Sequence, residues 1–142
     1  MAVEVARFAQ VEASDAFIVS VVESALRAGK GHGDVSIAFI GEQRMRTLNR
    51  TYRGIDRPTD VLAFGRSDDE QERAGTFLGE IMICVGIATR QARRAGISLQ
   101  EELTRLIVHG TLHLLDFDHD VPEREAKMFA LQERVVGRVM KA

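Results

Sequence analysis

A single cysteine, Cys84, is all the thiol this 142-residue chain carries, and that excludes an internal disulfide framework. Its place in the apolar run Ile81-Met82-Ile83-Cys84-Val85 reads as a small buried hydrophobe, in keeping with a reducing compartment. No apolar run reaches the roughly 18 residues of a membrane span, and Met1 to Arg7 lacks the apolar stretch of a secretory signal. A cytoplasmic protein with no membrane partner is therefore expected. Charge of one sign is also scarce. A formal net charge of −2 does not mark the whole surface as a nucleic-acid binder, so any such site must be a local patch. There is no internal repeat, low-complexity segment or linker, which leaves one domain over residues 1–142. Apolar residues at 45% and charged residues at 28% are ordinary for a chain with a real core.

Hydrophobic periodicity predicts an α+β order. Residues 3 to 11, with Val3 and Val5 alternating, read as a strand. Ser14 reads as the cap of a helix whose apolar positions are Phe17, Ile18, Val21, Val22, Ala25 and Leu26, ended by the glycine-rich run 29–33. His32 falls in that run and reads as a surface histidine. Val35 to Ile40 is a strand, Glu42 to Tyr52 a short helix anchored by Met45 and Leu48, and Val61 to Phe64 another strand. The acidic stretch Gly65 to Thr76 reads as a solvated loop. Leu78 to Val85 is the most apolar strand and is expected at the sheet centre. Helices are predicted from Ile87 to Ala95, from Leu99 into a histidine-rich stretch, and after Asp120-Val121-Pro122, with Asp120 as cap. The last carries the stripe Met128, Leu131, Val135, Val136 and Val139. The expected fold is one α+β domain: about four strands in a mixed sheet, four or five helices, and a metal site at the end of a central helix.

That stretch, His109-Gly110-Thr111-Leu112-His113-Leu114-Leu115-Asp116-Phe117-Asp118-His119, holds three of the four histidines. Residues i and i+4 share one helix face, so His109 and His113 can present two imidazoles to one ion, with His119 brought round by a turn. Three neutral nitrogens with an open fourth position suit a catalytic zinc, although nickel or copper fits the same donors. On a helical wheel Leu103, Ile107, Gly110 and Leu114 cluster about 100–160° from His109, with His113 near 40°. The pair thus lines a cleft wall beside the core face. Two such histidines are also common as hydrogen-bonded surface residues; the third, amid Asp116, Asp118 and Asp120, favours a metal site. Those carboxylates fit ring-orienting partners and turn or cap residues equally well, and Asp120 reads better as the cap. Gly110 stands where the zinc-protease helix carries its Glu base, which weakens a peptidase reading. In a helix interior it points to close packing against another element.

Residues 44 to 66 carry Arg44, Arg46, Arg50, Arg53, Arg57 and Arg66 against Asp56 and Asp60, a local charge of +4. Arginine binds phosphate in bidentate fashion at any relevant pH, so this segment fits a polyanion groove. For Arg44 and Arg46 a solvated face with surface salt bridges is the simpler reading.

Taken together, Leu48-Asn49-Arg50-Thr51-Tyr52-Arg53-Gly54, Arg57-Pro58-Thr59-Asp60-Val61-Leu62-Ala63-Phe64, Leu78-Gly79-Glu80-Ile81-Met82-Ile83 and His109 to His119 resemble the YbeY family of bacterial endoribonucleases, or rRNA maturation factors. The resemblance implies one zinc ion on His109, His113 and His119, with Arg53 and His109 as catalytic residues. It also implies single-stranded RNA cleavage in 3′-end maturation of small-subunit rRNA, ribosome quality control, and the small subunit and its assembly factors as partners. The chain departs from the family at Asp116 (usually Gly), Phe117 (commonly Tyr) and Gly65 (often Pro). For the proton acceptor, a metal-bound hydroxide is the first candidate and Glu80 a weaker one. Two alternatives stay open: a metal-dependent hydrolase of peptides or esters, and a non-catalytic assembly factor with a structural zinc.

Overall fold

The sheet is ordered around its most apolar strand. In the computed structural model, which describes residues 2–65, 76–115 and 121–141, β4 (Phe77–Cys84) lies between β2 (Asp34–Ile40) and β3 (Val61–Gly65). β1 (Val3–Arg7) pairs with the far side of β2, giving the order β1-β2-β4-β3. The β1–β2 and β2–β4 pairs are parallel and β3–β4 is antiparallel, with Ala63 opposite Ile81. Strand β1 is shorter than residues 3–11. The amides of Phe8 and Ala9 both donate to the Phe39 carbonyl, at 2.8 and 3.0 Å, and two donors on one acceptor end the ladder.

Five helices complete the fold among the described residues: α1 (Asp15–Ala28), α2 (Glu42–Arg53), α3 (Val85–Ala95), α4 (Leu99–Leu114) and α5 (Pro122–Lys141). The Ser14 hydroxyl accepts from the Phe17 amide at 3.1 Å and the Ser98 hydroxyl from the Glu101 amide at 3.0 Å, so α1 and α4 both start on a serine cap. Helices α2 and α3 stop at Gly54 and Gly96, whose φ of 72° and 68° lie in the left-handed region that glycine enters without steric cost.

Alternation along the strands sends Val35, Ile37 and Phe39 to one sheet face and Ala38 and Ile40 to the other. The first face carries the main core, closed by α1, α4 and α5 through Ile18, Val22, Leu103, Ile107, Leu112 and Val135. Helix α2 covers part of the second through Met45 and Leu48. The result is one α+β domain with a four-stranded mixed sheet, as its sequence predicts. Helix α4 is enclosed on more sides than a single core face requires. From Glu101 onward its sole residues with part of their surface open are Glu101, Arg105, His109 and His113, every fourth position.

Candidate active site

The open stripe of α4 faces a cleft of about 310 Å³. His109, Gly110 and His113 form one wall. Val61 and Ala63 of the edge strand β3 form the floor, and Thr59, Asp60 and Arg53 the rim. Three of the four site residues predicted from sequence therefore meet in one place. The fourth, His119, lies outside the described residues, as do Asp116, Phe117, Asp118, the expected cap Asp120 and most of the acidic stretch after Gly65.

Gly110 brings the wall close to the sheet. A Cβ there would sit 2.9 Å from Cγ2 and 3.1 Å from Cδ1 of Ile81, which is fully buried in β4. Close packing is thus the role of this glycine, as its helix-interior position predicts. The position after the first histidine has no room for a glutamate base, so the geometry opposes a zinc-protease chemistry.

His109 is held from behind by residues that sequence reasoning did not single out. Its Nδ1 lies 2.9 Å from Oε1 of Gln132, on α5. An amide oxygen only accepts, so Nδ1 carries the proton and Nε2 keeps its lone pair for the cleft. The amide is oriented in turn, because its Nε2 donates to Glu133 at 3.2 Å. Glu133 receives two bonds from the Arg105 guanidinium, both at 2.9 Å. Arg105 also donates to Glu101 at 3.3 Å and lies 3.7 Å from Glu102. The Arg105 guanidinium holds the Glu133 carboxyl below its usual value, and burial pushes Glu102 above its own. Fixing one imidazole tautomer through carboxyl and amide partners is how proteins prepare a histidine for a metal. His109, held in this way and lining one cleft with His113, thus fits the zinc site that the histidine spacing implies. No signal in the sequence marks Gln132, since a polar residue on the core stripe of a helix reads as an irregularity until its partner is known.

Arg53 reaches the cleft from the last turn of α2, where Gly54 ends the helix. Asn49 anchors that turn: it is 1% exposed, and its side-chain amide donates to the Arg57 carbonyl at 2.7 Å. Asp60 is the carboxylate that lines the cleft among the described residues. Its Oδ1 accepts from the Val61 amide at 2.8 Å and the Thr59 hydroxyl at 3.3 Å. With the Gln91 amide turned so that its nitrogen faces them, Gln91 donates to Asp60 at 3.3 Å and Glu102 at 2.6 Å.

Glu80 is not part of this constellation. It is exposed on β4 and lines a separate groove with Glu4, Phe8 and Arg44 rather than the cleft, so it is not placed to serve as its base. Of the two arginines expected at the surface, Arg46 pairs with Asp56 at 2.9 Å, whereas Arg44 lies over the Phe8 ring at 4.4 Å. His32 is exposed, as expected.

Comparison with known proteins accords with this geometry. The family model described as Endoribonuclease YbeY matches residues 4–140. A protein named Endoribonuclease YbeY from Brevibacillus brevis is 39% identical over 134 residues, covering 86% of this chain and 84% of the relative. One of the same name from Pelotomaculum thermopropionicum is 39% identical over 134 residues, covering 90% and 88%. The solution structure of TM1509 from Thermotoga maritima superposes with a TM-score of 0.65 at 27% identity, over 96% of this chain and 88% of that one. With a family model spanning nearly the whole chain and relatives at this identity and coverage, the chain belongs to the endoribonuclease YbeY family.

Proposed function

We propose that the chain is a zinc-dependent endoribonuclease that cleaves single-stranded RNA. On this reading it acts in 3′-end maturation of small-subunit rRNA and in ribosome quality control, in the cytoplasm, with the small subunit and its assembly factors as partners. The observation that carries the reading is the meeting of His109, His113 and Arg53 in one cleft of a chain belonging to an endoribonuclease family.

His109, His113 and His119 would hold the ion. Bound zinc supplies a Lewis acid for a phosphoryl oxygen and lowers the pKa of water toward about 7. The remaining work falls to the chain. Gln132 keeps the proton on Nδ1 of His109 and aims Nε2 into the cleft. Arg53, on the rim, binds the phosphate and stabilises the charge that develops on it. Val61 and Ala63 give the cleft an apolar floor, which strengthens those charge interactions by excluding water.

The test is cleavage of a single-stranded RNA by the wild type and by Arg53→Glu, with metal content measured on both. The variant should lose roughly 100-fold or more in rate while retaining its metal. Cleavage that survives the charge reversal would remove Arg53 from the mechanism. Chelation separates the assembly-factor alternative: loss of activity with the fold intact supports catalysis, whereas unfolding on metal removal supports a structural ion.

A further inference from the structure

A second pocket, of about 550 Å³, lies on the other side of His109. Its wall is an extra stripe on α5. The core stripe of that helix buries Met128, Gln132, Val135 and Val136. Pro122, Ala126 and Phe129 fall within about 60° of one another on the adjacent face, line the pocket and remain exposed. Phe129 shows 61% of its surface, a large apolar area left open beside the core stripe. Met128 closes the pocket toward the core.

We propose that this pocket receives one nucleobase of the RNA strand, stacked on Phe129, while the strand's phosphate lies across His109 in the cleft beside Arg53. This rests on the endoribonuclease reading. Three observations select a base as occupant. The lining is apolar except for His109, Gln132 and Glu125, and the Gln132 amide is already engaged by His109 and Glu133. Glu125 carries a negative charge that turns a phosphate away. The pocket and the cleft share the His109 imidazole as a wall, so a strand held by Arg53 on one side presents its neighbouring base to the other. A base can reach Phe129 only when it is out of a helical stack, so the pocket supplies a physical reason for acting on single strands.

The chain contains no tryptophan, so Phe129→Trp introduces a lone indole reporter. Its emission should be quenched saturably as a short oligoadenylate is added. Phe8→Trp, on the other sheet face, should be unaffected by the same titration. By anisotropy of the labelled oligonucleotide, Phe129→Ala should bind roughly tenfold more weakly than the wild type, the usual loss when a stacking ring is removed. Phe129 is exposed, so neither change threatens the fold. An unmoved Phe129→Trp signal at RNA concentrations where anisotropy shows binding, or wild-type affinity in Phe129→Ala, overturns the base pocket. A wild-type chain that binds no RNA overturns the endoribonuclease reading and this inference with it.

Discussion

Replacing Gln132 by Leu tests the support behind the histidine pair most directly. Leucine is close to glutamine in volume and suits a position only 6% exposed, so the packing of α5 on α4 should survive. The substitution removes the acceptor at 2.9 Å from His109 Nδ1 and the donor at 3.2 Å from Glu133. Glu133 keeps both bonds from Arg105, so its loss is small. His109 loses the acceptor that holds the proton on Nδ1, so its tautomer is no longer fixed by α5. Outer partners of metal-bound histidines are worth about 10- to 100-fold in metal affinity. At 1.4 kcal/mol per factor of ten this is about 1.4–2.8 kcal/mol. Stability without metal should fall by about 1 kcal/mol, the net value of one hydrogen bond. Competition against a fluorescent zinc chelator measures the first quantity and urea denaturation with chelator present the second. Zinc affinity equal to wild type in a folded Gln132→Leu protein would refute the idea that Gln132 prepares His109.

Other consequences can be checked separately. Gly110→Ala gains about 1 kcal/mol of helix propensity but forces a methyl against Ile81, for an overpacking cost of about 1–3 kcal/mol. The net should be destabilising, and Ile81→Val in the same chain should return part of the loss; a stabilised Gly110→Ala protein would contradict the close approach. Burial raises the Glu102 carboxyl above its ordinary 4.5, so its contribution is present below that value and lost as pH rises through the raised one. Urea midpoints at about pH 4 and about pH 7 should therefore show Glu102→Gln gaining on the wild type at the higher pH. Ser98→Ala removes the acceptor for the Glu101 amide and should cost about 1 kcal/mol by thermal denaturation, with the fold unchanged.

Much of the architecture was legible because periodicity and punctuation agreed. Ser14 caps the helix that follows it, the glycine-rich run 29–33 ends that helix, and the most apolar segment takes the sheet centre. The histidine pair was legible for the same reason: spacing of four survives folding as adjacency. Gly110 was readable as a packing glycine because helices rarely tolerate glycine without a reason. What escaped depends on contacts between distant segments. Gln132 lies 23 positions from its partner His109, and no local pattern announces the pairing. The wheel for α4 placed its core face correctly yet missed that sheet, α1, α3 and α5 surround it, since a wheel knows nothing of neighbouring layers.

The enclosure of α4 also has a kinetic consequence. A helix with one open residue per turn cannot shift without breaking the main core, so its amides from Leu106 to Leu112 should exchange with solvent only through openings near the global unfolding free energy. The two histidines therefore stand on a stationary post. Among the described walls, widening of the cleft to admit or release a strand falls to the edge strand β3, which pairs only with β4 among the described residues, and to the rim of Arg53, Thr59 and Asp60. Gating on the microsecond-to-millisecond scale, read by relaxation dispersion, belongs to that strand and rim, while the histidine wall stays silent.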